Sequence, residues 1–376
     1  MKTLLLSTIA SLLAFSRVFP QGDLVPPGPP GPMMKTLDQV EARIIVNATR
    51  TPGDATNTFI ISQPGSYYFT GNVTGESGKH GISIQANDVT LDLNGFALVS
   101  GGGGAFRGVN VPAAQTGFSI RNGSVRGWTD GGVRAEAAVT LAEKLHLSAN
   151  VGARGLAVGN GSIVRDCVST GNGTGFYCPD RTQMSHCIAT VNTGTGFDCT
   201  SFVTIIDCTS SRNGGTGIVA GVSSNVVRCN ASRNDQFGIS TGEGCTIASC
   251  IAGSNQSNGI VLGGGGTVQG CTTRANGDIG IWAAGNGSQI VGNTCDTNRR
   301  GIYTISDAHR IEGNSCTFNT ELGFSIGGTG NLFIRNSARG NATNYSVSAT
   351  GAAGPFVAPD GFGRIISTSP WANFIL

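Results

Sequence analysis

Four ionisable residues recur at steps of 20, 21 and 21 along the chain: Asp166, His186, Asp207 and Arg228. Two carboxyl groups with an imidazole between them are the parts of general acid–base catalysis: one gives a proton, one accepts it, and a histidine can carry it near neutral pH. A second set, Tyr177, Asp180, Arg181 and Asp198, offers two carboxylates and an arginine. Elimination from a uronate needs such groups, with Ca²⁺ held by carboxylates and a basic side chain to take the proton, although two Asp are few for that ion. A third set, Trp282 and Tyr303, presents aromatic faces on which a sugar ring can stack. The chain carries no Gly-x-Ser-x-Gly elbow, His-Glu-x-x-His, phosphate loop or Ca²⁺ repeat motif. Cys-x-x-Cys pairs with nearby His partners are also missing, so no metal site is expected.

Whether these residues meet depends on what carries them. Aligned on an apolar residue that follows Gly, segments begin at Leu156, Phe176, Phe197, Ile218, Ile239, Ile260, Ile281, Ile302 and Phe324, at steps of 20 to 22. A second apolar row follows, from Val164, Met184 and Ile205 to Phe333. Three residues beyond it stand Cys167, Cys187, Cys208, Cys229, Cys250 and Cys271, continued by Asn293, Asn314 and Asn336. The most regular row is Asn, at 150, 172, 192, 213, 234, 255, 276, 298, 319 and 341. A fixed period of this length indicates a solenoid, in which each unit buries its apolar edge against its neighbours. Asn suits the left-handed backbone of a tight turn, and stacked amides can bond from one unit to the next.

Composition agrees. Gly contributes 59 of 376 residues and charged residues only 12%, which disfavours helices with solvated charged faces. A net charge of +2 gives no electrostatic case for nucleic acid or acidic lipid. Within each unit apolar or small residues alternate with polar ones, as short strands require. The stretch Ile205-x-x-Cys208-x-Ser210-x-x-Asn213 also fits the spacing of leucine-rich repeats, but Cys, Ser and Ala fill the Leu positions and the rest is Gly-rich rather than helical.

The Gly-Ile/Phe-x-small starts, the Ile-x-x-Cys/Asn-x-Ala/Ser core and the Asn row together resemble the right-handed parallel β-helix proteins, the architecture of pectate lyases and many bacterial surface proteins. The resemblance covers roughly residues 81–344. The segment Ile82–Phe96 and the closing Pro370-Trp-Ala-Asn-Phe374 are also similar to one exported bacterial branch of that group. It implies an all-β fold, a right-handed parallel β-helix solenoid of about twelve coils, with caps at 33–80 and 345–376. Residues 1–16 have the layout of a secretory signal peptide, with cleavage there or as late as residue 22, and 23–32 form a Pro/Gly-rich spacer. The protein is expected to be secreted or at the cell surface, through bacterial export, and not to span a membrane.

In a β-helix, equivalent residues of successive coils lie about 4.8 Å apart. Asp166 and Asp207 would then be about 9.6 Å apart, but on one column with no opposing wall. Eleven Cys in an exported chain suggest disulfides, yet stacked Cys with parallel side chains do not converge. The six-Cys column is therefore expected to be thiol, and Cys178/Cys199 and Cys295/Cys316 are the pairs that could bridge. The reading that follows is an exported rod with a structural or ligand-contacting role, its partner a polysaccharide or cell-surface ligand and not nucleic acid. The sequence specifies no oligomeric state. No cofactor is expected. The alternative is a polysaccharide lyase or glycoside hydrolase with a non-standard site, and only the lyase would call for Ca²⁺.

Overall fold

The computed structural model describes residues 41–376 apart from 113, 114 and 349. The signal-peptide and spacer assignments lie outside the described residues, as does the start of the expected cap at 33–80. Residues Arg43–Leu376 form one compact unit. Every described element is a strand, and nearly all are two to five residues long.

One turn shows why. Phe197–Cys199 belongs to a 14-stranded sheet; Thr204–Ile206 and Thr209–Ser211 belong to a 28-stranded one. Each strand alternates so that one residue in two points inward: Phe197, Cys199, Ile205 and Ser210 are buried. All named strand pairings are parallel, each to the equivalent strand one turn on. Stacked in this way the chain is a right-handed parallel β-helix.

The rows read from sequence are columns in space. Leu156, Phe176, Phe197, Ile218, Ile239, Ile260, Ile281, Ile302 and Phe324 pair in order, all fully buried. Val164 through Phe333 form a second such column. The turn count differs. The 14-stranded sheet has one strand per turn, and partial turns at the ends bring the solenoid to about 16 turns, against the twelve expected. Coiling starts before residue 81: Phe59 pairs with Ile82 and Tyr67 with Leu91, inside the segment expected to be a cap. The turn before residue 81 carries neither the Asn nor the Cys row, and the step from Phe59 to Ile82 is 23 residues rather than 21.

Three corners close each turn, and each has the same device: a left-handed residue followed by an inward side chain. In one turn these are Phe202–Val203, Asp207–Cys208 and Arg212–Asn213, with φ of 59°, 55° and 53° for the first of each pair. The ten ladder Asn are therefore not the left-handed residues; their predecessors are. An Asn must point inward to reach the next turn, so the residue before it takes the bend. Asn150 Oδ1 accepts from Trp128 N, and from Asn172 on each Asn Oδ1 accepts the backbone N–H of the Asn one turn earlier, as Asn234 does from Asn213 (3.2 Å) and Asn255 from Asn234 (3.0 Å). Its Nδ2 donates to a carbonyl of the previous turn, Ser210 O at 3.3 Å in the case of Asn234.

The Cys column performs the same task. Cys208 Sγ accepts from Cys187 N, Cys250 Sγ from Cys229 N and Cys271 Sγ from Cys250 N, each at 3.4 Å. Cys271 N then donates to Asn293 Oδ1 (2.8 Å), and the column runs on through Asn314 and Asn336 to Asn373. All eleven cysteines are buried free thiols, including Cys178, Cys199, Cys295 and Cys316. Burial and neighbouring thiols push Cys178 and Cys316 well above the usual thiol range, while the hydrogen bond with Cys208, helped by burial, pushes Cys229 up to about 12.

Candidate functional site

The Asp166–His186–Asp207–Arg228 column occupies left-handed corner positions, with φ from 52° to 56°. A corner of this kind points its side chain outward. Asp207 is clamped by Arg228 through two 2.8 Å bonds, with His186 Nε2 at 3.8 Å. The guanidinium holds the Asp207 carboxyl below its usual range, so this carboxylate is a poor proton donor near neutrality. Asp166 is exposed at the same edge.

The second expected set divides. Tyr177 and Asp198 are paired neighbours on the outer face of the 14-stranded sheet. Asp180 turns instead to the adjacent corner, where it accepts from Thr200 Oγ1 and from Ser201 N (3.0 Å), and these bonds lower its pKa. Arg181, left-handed at φ 61°, lies 5.8 Å over the Phe202 ring. The two Asp therefore have different tasks and do not form a joint cation site. Among the described residues no three His, Cys, Asp or Glu side chains converge on a metal position.

Tyr177 does have a charged partner. Arg154 stacks its guanidinium 3.6 Å from the centre of the Tyr177 ring and pairs with Glu136. Glu136 also meets Arg134 (3.0 Å), Arg134 meets Asp130 (3.3 Å), and Asp130 meets Arg107 (2.7 Å), which reaches Asn110 (2.8 Å). The result is a network of three arginines and two acids along three turns of one outer face, with Tyr177 on the fourth. Arg107 ends the Gly-rich excursion 101–107, an insertion in the early turns; Thr129 Oγ1 donates to Gly104 O and Asp130 N to Phe106 O (3.0 Å), tying it to the next turn. A groove of about 530 Å³ runs beside the network, lined by Arg134, Val151–Arg154, Gly173, Thr174, Thr193 and Gly194. Its glycines are dictated by stacking: a Cβ on Gly152 would lie 1.9 Å from Thr129 O. The sequence signal lies in Arg107, Arg134 and Arg154, whose different offsets within their turns keep them from forming a regular row.

Trp282 and Tyr303 are paired neighbours further along the same face. Arg300 lies 5.3 Å from the Tyr303 ring centre and is itself paired with Glu321. Two Arg-covered tyrosines thus occur on one sheet six strands apart, about 29 Å by strand spacing. Two buried donors in this outward row have no partner, Arg134 Nε and Trp282 Nε1. His309, next to the charged residues Asp307, Arg310 and Glu312 in sequence, is buried in the corner column that Val203 belongs to. Its Nδ1 accepts from Ser288 N (3.1 Å) and its Nε2 meets Thr304 Oγ1 (2.8 Å).

The family comparison agrees with the architecture. A family model described as a right-handed beta helix region matches residues 154–295. Among solved structures, the A-module of a mannuronan C-5 epimerase of Azotobacter vinelandii is 12% identical, covering 83% of this chain and 89% of that one at a TM-score of 0.49. A periplasmic alginate epimerase is 13% identical, with 89% and 82% covered and a TM-score of 0.41. A pectate lyase, Pel9A, is 18% identical, with 74% and 66% covered and a TM-score of 0.36. No curated protein sequence matches the chain.

Proposed function

We propose that this β-helix is an exported rod that holds a carbohydrate chain along the outer face of its 14-stranded sheet, in a ligand-contacting rather than catalytic role. The observation that carries the reading is the network of Arg107, Arg134 and Arg154 beside a groove of about 530 Å³, with Arg300 over Tyr303 further along the same face. Guanidinium groups pair with carboxylates, and an acidic polysaccharide presents such groups at intervals along its length. Arg107, Arg134 and Arg154 outnumber Asp130 and Glu136, so an acidic sugar fits the groove better than a neutral one. Trp282 supplies a face for a sugar ring, while Tyr177 and Tyr303 seat Arg154 and Arg300. Export rests on the signal-like residues 1–16.

Calorimetric titration with a uronate polymer and with a neutral glucan tests this. The uronate polymer should bind more tightly, and Arg134→Gln or Tyr177→Ala should weaken binding at least tenfold without lowering the melting temperature. Binding to neither polymer defeats the proposal. Release of unsaturated products or reducing ends, abolished by Asp198→Ala, would replace it with the lyase or hydrolase reading.

A further inference from the structure

The arginine network carries a small excess of charge. Arg107, Arg134 and Arg154 face Asp130 and Glu136, three cations against two acids, so one added carboxylate neutralises it. His80 stands one turn before Arg107, but its Nδ1 accepts Arg107 N–H (3.0 Å) and burial pushes its imidazole below the ordinary 6.5. It therefore adds no charge near neutrality.

Beyond the network the same edge changes sign. Six successive turns bring residues 172–178, 192–199, 213–220, 234–241, 255–262 and 276–283 to this corner and sheet face, and they contain no Lys, Arg or His. They do contain Asp198, Asp235 and Asp278. Asp198 is paired with Tyr177, on which Arg154 stacks. Asp235 is exposed at the corner after Asn234, held by Gln256 Nε2 (2.7 Å). Cations return with Arg299 and Arg300, seven strand steps from Arg154, and Asp278 and Glu321 already balance them. That separation is about 34 Å by strand spacing. The groove floor is uncharged as well: Gly173, Thr174, Thr193 and Gly194 line it, and Gly215 N donates to Gly194 O (3.0 Å) where it continues.

We propose that the ligand is a sparsely acidic polysaccharide, one uronate seated on Arg134 and Arg154 and neutral sugars laid over the Gly/Thr floor and the cation-free turns towards Trp282. The proposal rests on the carbohydrate-holding role and narrows its substrate class. A chain with an acid on every unit gains at the network and then sets carboxylates against Asp198 and Asp235, and such like-charge contacts are how a surface rejects a wrong partner. Neutral sugars meet the Thr174 and Thr193 hydroxyls instead, which both donate and accept.

Calorimetric titration with two oligosaccharides of matched length tests this: oligogalacturonate, acidic at every unit, and fragments of deacylated gellan, whose uronates are separated by neutral sugars. The gellan fragments should bind at least tenfold more tightly; oligogalacturonate keeps the arginine contact and should rank between them and a neutral glucan. Asp198→Asn with Asp235→Asn should raise the affinity for oligogalacturonate at least tenfold and change that for gellan fragments little. Thr193→Trp, which fills the floor from an exposed position, should weaken gellan fragments at least tenfold with an unchanged melt. Oligogalacturonate binding as tightly as gellan fragments overturns the proposal and leaves the carbohydrate-holding role standing. So does a double Asn variant that shifts neither affinity, or Thr193→Trp binding gellan fragments like the unaltered chain. Binding of neither oligosaccharide overturns both.

Discussion

At the scale of single residues, the Cys column shows how a side chain's task follows from its place in the stack. Cys271 receives the backbone N–H of Cys250 and passes its own to Asn293. Cys271→Val removes that acceptor and should cost about 1–3 kcal/mol, whereas Cys271→Asn extends the Asn ladder by one turn and should cost much less; urea midpoints separate the two. His309 gives a pH-dependent counterpart. Burial pushes its imidazole below the ordinary 6.5, so the unfolded chain takes up a proton that the folded chain refuses. Stability should therefore fall as the pH drops below that value, and melts recorded across the interval should show a smaller loss in His309→Asn. Its burial was not legible in the sequence, where it reads as one charge among Asp307, Arg310 and Glu312; only the register with Ser288 and Asn331 places it inward. The arginine network was hidden for a related reason: its members sit at different offsets within their turns, and only pairing brings them together.

At the scale of elements, the apolar and Asn rows could be read from the sequence because buried columns restrict residue type. The corners could not. Their left-handed positions accept Arg212, Phe202 and Val191, whose side chains face water and so leave no pattern. Such a backbone still strains a β-branched residue. Val191 has φ of 56°, and the equivalent corner one turn earlier is Gly171 at 64°. Val191→Gly should raise stability by about 1 kcal/mol, and Arg233→Val, at φ 58°, should lower it by a similar amount. Chemical denaturation would measure both. Within the ladder, Asn234→Ala removes the acceptor for Asn213 and the donor to Ser210, and should cost about 1–3 kcal/mol.

At the scale of the molecule, each turn contacts chiefly the one before and the one after, so stability is close to a sum of like units. Excision of residues 214–234 would join Asn213 to Asp235 and bring equivalent positions into register. The shortened chain should fold, with solution scattering reporting a rod shorter by about 4.8 Å and a slightly lower melting temperature. Regularity also carries a hazard. Until the turns close, eleven thiols spaced along a loose chain are free to cross-link at random; once closed, none is reachable. Recovery from denaturant is then a race between coiling and oxidation, won in the presence of dithiothreitol and largely lost in air.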